Sequence, residues 1–232
     1  MISALTLALR QLGDPGVLRI LAKCVGISLG LFVVLAVIGG LAIDWLLNRA
    51  GLDGALFAGA DVIREVTTLV LLVIAGWLLW RIVAMAVLQL FADEVVQAVE
   101  TRYYPATLSH VRPLGWQREL AVGLKSAGRA LFYNLLALPF ALILLITGIG
   151  TALLFLAVNA VLLGRELTEL VWLRHAHDSD APLPLVRWER WLLGGLIAGL
   201  LVVPFANFLA PVIGAAMATH LVHRKGVIVD AR

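Results

Sequence analysis

Two groups of residues place polar and turn-forming side chains inside otherwise apolar sequence. One is Thr147-Gly148-Ile149-Gly150-Thr151; the other is Pro204, Asn207 and Pro211, spaced Pro-x-x-Asn-x-x-x-Pro. They interrupt apolar runs at about 130–163 and 191–222, leaving arms of roughly 11–17 residues where a helical crossing needs about 20. A helix that restarts inside a bilayer presents its first N–H groups and the positive end of its dipole at depth. A poorly hydrated anion can be stabilised there. The donors would belong to residues near Thr151 and to Phe208 through Ala210. Asn207 is a good N-cap and Thr151 another candidate, so the side chains could instead satisfy these donors themselves. The negative ends of the entering arms converge on the same tips, which leaves the sign of a permeant ion open.

Other chemistry-bearing residues are sparser. Arg81 falls within the second apolar run, where a guanidinium costs about 2.5–3.5 kcal/mol on insertion scales. It reads equally as a pore-lining cation or as a snorkelling anchor beside Trp77 and Trp80, with Asp44 as its partner or merely interfacial. His175-Ala176-His177-Asp178-Ser179-Asp180 matches no metal-ligand spacing and is expected to be a solvated loop. His220 and His223, one turn apart at the end of the last apolar arm, read as structural. No His-Glu-x-x-His helix, Gly-Lys-Ser/Thr phosphate loop or Gly-x-Ser-x-Gly elbow occurs. An enzyme is therefore not expected, and neither a metal nor a cofactor.

The elements that must position these residues are membrane helices. The 232 residues are 62% apolar with only 14% charged, and mean hydropathy is +0.99. Soluble domains run at about 45–50% apolar. The net charge of +3 is small, so it bears on membrane topology and no nucleic-acid partner is expected. Cys24 is the only cysteine, which excludes an intrachain disulfide. With no polar linker, the chain reads as a single membrane domain over residues 1–232.

Residues 1–23 form an interfacial segment in which Asp14-Pro15-Gly16 starts a helix, an acid at the N-cap followed by proline. Full spans are expected at about 25–47 and 66–90. Gly26 and Gly30 share a face of the first, and Gly195 with Gly199 looks like a helix-packing pair in the last run. The second helix should continue past the bilayer through Phe91–Glu100, whose apolar and polar residues alternate at helical spacing, and end near Tyr103-Tyr104-Pro105. Basic residues are rich in the N-terminal segment, in 101–129, in 164–190 and in the tail, and poor only in 48–65. Cytoplasmic loops are the basic ones. All the basic segments share one side if both interrupted runs are re-entrant hairpins; four kinked spans are the alternative.

The order of elements resembles the CysZ-like sulfate permeases, within a wider family named after an etoposide-induced protein. Pro15-Gly16-Val17-Leu18-Arg19 resembles that family's Pro-Gly-aliphatic-Arg-Arg segment, and Phe91 through Arg102 the end of its second span, with Glu100 on an acid there. Gly148-Ile149-Gly150 resembles its first hairpin turn, and Pro204, Asn207 and Pro211 its second. Leu18, Leu90, Gln97 and Thr147 stand where the family has arginine, proline, glutamate and proline. The resemblance implies an oligomeric bacterial inner-membrane protein that takes up sulfate for cysteine synthesis, with two long helices and two hemi-penetrating hairpins. It further implies anion capture by the amides at Gly16 and Val17 with Arg19.

The expected molecule is thus an all-α integral membrane protein, a channel-like permease for sulfate or a similar small oxyanion. It sits in a lipid bilayer as a homo-oligomer with both termini cytoplasmic. Thr147, Gly148, Gly150, Thr151, Pro204, Asn207 and Pro211 would line its path, Arg81 would face it or anchor the helix, and Glu100 with Arg102 would form a gating or assembly ion pair. The rival is a structural or assembly protein of the same fold without transport.

Overall fold

A computed structural model describes residues 1–49, 91–111, 115–176, 182–203 and 206–225, together with Val66, Leu69, Val70, Ile74, Gly76 and Val83. Most of the expected second span, Arg81 and Pro204 lie outside the described residues, as do His177 through Asp180. Every regular element among the described residues is helical. The helices are α1 (Ile2–Gln11), α2 (Pro15–Arg49), α3 (Ala92–Tyr103), α4 (Trp116–Leu144), α5 (Gly150–Trp172), α6 (Arg187–Val202) and α7 (Ala210–Arg224), with short 3-10 turns at Pro105–His110, Leu145–Thr147 and Ala206–Phe208.

The local signals read from sequence account for several boundaries. Pro15 opens α2, as its fixed φ and missing N–H favour. α3 stops at Tyr103, just before Pro105. Three helices are long and apolar enough to cross a membrane, over Pro15–Leu46, Trp116–Thr147 and Gly150–Trp172. The chain is a membrane protein. α4 and α5 exceed the short arms expected of the first interrupted run because each continues into polar sequence. α6 and α7, at 16 and 15 residues, stay short.

The chain divides into two compact units, one of Met1–Leu18 with Ala92–Arg232, the other of Arg19–Phe91. In the second, α2 exposes Val25, Leu29, Val33, Val37 and Leu41 along its length. A side chain at Gly26 or Gly30 would meet nothing within 4 Å. Lys23 rests over the Phe91 ring at 4.6 Å.

In the first unit α7 is the central helix, packed by α1, α3, α5 and α6. All of it except Pro211 and Arg224 is buried. Its sequence explains this: Ala210, Gly214, Ala215, Ala216 and Ala218 let four neighbours approach its backbone. A Cβ on Gly214 would press on Leu167 and Ile197. Among the described residues the tightest approach joins α5 to α6, where Gly164 and Gly194 bring the backbones together. A Cβ on Gly164 would fall on the Arg190 carbonyl, and one on Gly194 on the Ala160 carbonyl. The packing pair read as Gly195 and Gly199 is therefore one residue out of register. Gly195 only grazes Ala160, and Gly199 faces open space.

Candidate functional site

The hairpin tips lie at one end of these helices. At the first, Gly148 adopts φ 71°, a conformation that glycine reaches without steric cost. Thr147 Oγ1 donates to the Leu144 carbonyl at 2.6 Å and accepts the Gly150 N–H at 2.8 Å. Thr151 Oγ1 donates to the Ala141 carbonyl at 3.0 Å, bridging the arms. Thr147, rather than Thr151, thus satisfies a free donor of the returning helix. At the second tip Asn207 does not cap α7, whose N-cap is Leu209 without a side-chain bond. The Asn207 Oδ1 atom is buried without a hydrogen-bond partner, and Pro211 supplies no N–H to the first turn.

The start of α2 is differently arranged. Gly16 and Arg19 are exposed while Val17 is buried. The Leu18 N–H bonds the Asp14 carbonyl at 2.8 Å, which leaves the Gly16 and Val17 amides as the orphan donors of the first turn. The Asp14 carboxylate pairs with Arg102 at 3.1 Å and meets the Tyr103 hydroxyl at 3.5 Å.

At the opposite end from the tips lies a polar cluster that sequence reading did not assemble. Glu100 occupies the buried face of α3 with Val95, Val96 and Val99 and is fully shielded from solvent. His175 follows the end of α5, and His223 closes α7. Both imidazole Nε2 atoms face the same carboxylate oxygen, Glu100 Oε1, at 2.8 Å and 3.1 Å. Arg174 Nε lies 3.6 Å from the other oxygen. Glu100 lies past the end of the second apolar run. Burial raises its carboxyl pKa, but hydrogen bonds from His175 and His223, then the charges of His175 and Arg174, outweigh that and hold it at about 2. Tyr104 stacks on His223 at 4.4 Å between ring centres and bonds His220 Nδ1 at 2.8 Å. Gln11 Nε2 meets His220 Nε2 at 2.7 Å.

This arrangement corrects three expectations. Glu100 and Arg102 do not pair with each other: Arg102 holds Asp14, while Glu100 holds two histidines and Arg174. His175 is not solvated but buried. The signal for it was Glu100 itself, an acid in register with three valines on a buried helix face, which required cationic or donor partners from elsewhere. His220 and His223, expected as structural residues at the helix terminus and headgroups, are instead buried.

Beside the cluster a cavity of roughly 580 Å³ is lined by Asp93, Glu119, Glu166 and Glu169, with Ser126 and Arg174. Glu169 is held by Arg129 at 2.5 Å and Arg165 at 2.7 Å, and Ser126 donates to Glu166 at 2.8 Å. Four carboxylates make this cavity unfavourable for an anion.

A family model described as "Sulfate transporter CysZ/Etoposide-induced protein 2.4" matches residues 4–211. No curated protein and no solved structure matches the chain.

Proposed function

The chain belongs to the sulfate transporter CysZ/etoposide-induced protein 2.4 family, and from that premise we propose that it is a channel-like permease for sulfate or a similar small oxyanion in a bacterial inner membrane. The observation that carries the reading is the start of α2, where the Asp14 carboxylate beside the first-turn amides of Gly16 and Val17 is engaged by Arg102 and Tyr103. An oxyanion is the ligand for such a turn, and Arg19 in the same turn supplies the charge-assisted bond. Leu18, half exposed, contributes apolar surface where a second arginine would add charge.

The interrupted runs act as re-entrant hairpins. α6 and α7 are about 24 Å and 22 Å long, short of a hydrocarbon core of about 30 Å. In the first hairpin the ion pairs of Arg129, Arg165 and Glu169 mark where polar surroundings begin. The apolar part of α5 beyond them, residues 150–164, is about 22 Å. Trp116, Trp188 and Trp191, all exposed, stand at the same end of the helices as these ion pairs, in keeping with an aromatic belt at the headgroups. That end and both termini face the cytoplasm, and the tips line the path across the remaining depth. The membrane-facing windows of α2, α4 and α5 are each only 11% buried, surface that lipid and further copies of the chain cover. The role is transport rather than catalysis.

Labelled-sulfate uptake into proteoliposomes tests the proposal, with empty liposomes and Arg19→Ala beside the parent protein. Uptake is expected above the empty vesicles and should fall about tenfold or more in the variant, the weight of one charge-assisted hydrogen bond. Unchanged uptake in Arg19→Ala would remove the binding site, and no uptake from folded protein would leave the structural role.

A further inference from the structure

We propose that Glu100, His175 and His223 form a binding site for a divalent transition-metal ion of the zinc type. Their ligand atoms come from three separate elements, α3, the end of α5 and α7, yet all lie within 4.8 Å of one another. Two imidazole nitrogens and one carboxylate oxygen are a ligand set that zinc accepts, with a fourth tetrahedral position left for water or an oxyanion oxygen. Around a tetrahedral ion with bonds of about 2.0–2.1 Å, neighbouring ligand atoms sit about 3.3 Å apart. The observed separations from Oε1 are 2.8 Å and 3.1 Å, a few tenths of an ångström short of that spacing, and the two Nε2 atoms lie within 4.8 Å of each other.

A second observation concerns the protons. Nε2 must be bare to bind a metal, which moves the proton of each neutral imidazole to Nδ1. The Nδ1 atoms of both His175 and His223 are buried with no hydrogen-bond partner. The change of tautomer breaks no bond beyond the two that the metal replaces, but it places a proton on two buried Nδ1 atoms that have no acceptor, a cost that the metal bonds must exceed. Arg174, 3.6 Å from Oε2, stands on the carboxylate oxygen that does not face the histidines. At that distance it places a charge beside the carboxylate without a hydrogen bond to it. The Tyr104 ring stacked on His223 restricts that imidazole from the other side. Neither requirement bears on sulfate transport, so the two proposals stand or fall separately.

The test uses the full-length protein in detergent, stripped with EDTA and titrated with cobalt(II). The expected result is one cobalt per chain, with the strong visible d–d absorption of a tetrahedral ion, displaced by stoichiometric zinc. His175→Ala and His223→Ala should each weaken binding by at least the roughly 10–100-fold seen when an outer-shell partner is lost. Should these variants misfold, zinc must raise the unfolding temperature of the parent protein and EDTA must reverse the rise. Absence of tetrahedral absorption and of a zinc-dependent shift in the parent protein would overturn the site. So would cobalt binding of unchanged affinity in folded variants.

Discussion

At the scale of single residues, the decisive fact is where Asp14 spends its charge. Read from sequence, an acid immediately before Pro15-Gly16 competes with any anion for the helix-start amides. In the fold its carboxylate goes to Arg102 and Tyr103, contacts that no local pattern announces because they join residues far apart in the chain. Its charge nevertheless remains close to the proposed anion site. Asp14→Asn should therefore raise apparent sulfate affinity on the order of fivefold, the effect of about 1 kcal/mol from a unit charge at short range in water. Concentration-dependent uptake, compared with the parent, measures it; unchanged or weaker affinity would separate Asp14 from the site. The helix start itself was legible, since proline and glycine specify backbone geometry directly. The partners of Glu100 were not, because histidines at 175 and 223 become its neighbours only through the packing of three helices.

Among the elements, the contact of α5 with α6 is the most demanding. Gly164 and Gly194 have no room for a methyl group, because backbone atoms of the facing helix occupy the space. Gly194→Ala and Gly164→Ala are each expected to destabilise the protein by about 1–3 kcal/mol, as overpacking does. Gly199→Ala, with open space around it, should be neutral or slightly stabilising through helix propensity. Thermal unfolding in detergent distinguishes them; equal stability of all three would show that the helices can separate at little cost. The sequence revealed that small residues pack in this run, but a helix face is fixed only when its partner is known. Hence the pair was read one residue late. The break after Thr147 was legible because glycine marks a positive φ, whereas the length of α4 and α5 was not, since both helices run on through polar residues into a charged layer.

For the whole molecule, the apolar windows of α2, α4 and α5 are each only 11% buried in a chain of 25.0 kDa. Native mass spectrometry of the detergent-solubilised protein should give a species at an integer multiple of that mass; a monomer at all concentrations would assign those faces to lipid alone. That the chain is a membrane protein was plain from composition, which is a property of residues summed rather than arranged. Arrangement has its own consequence in the backbone contact at Gly164 and Gly194. Two helices touching main chain to main chain cannot slide or rotate past each other without collision, so α5 and α6 behave as one mechanical part. A conformational change in this protein would carry the two as a single lever, with its freedom in the surfaces they do not share.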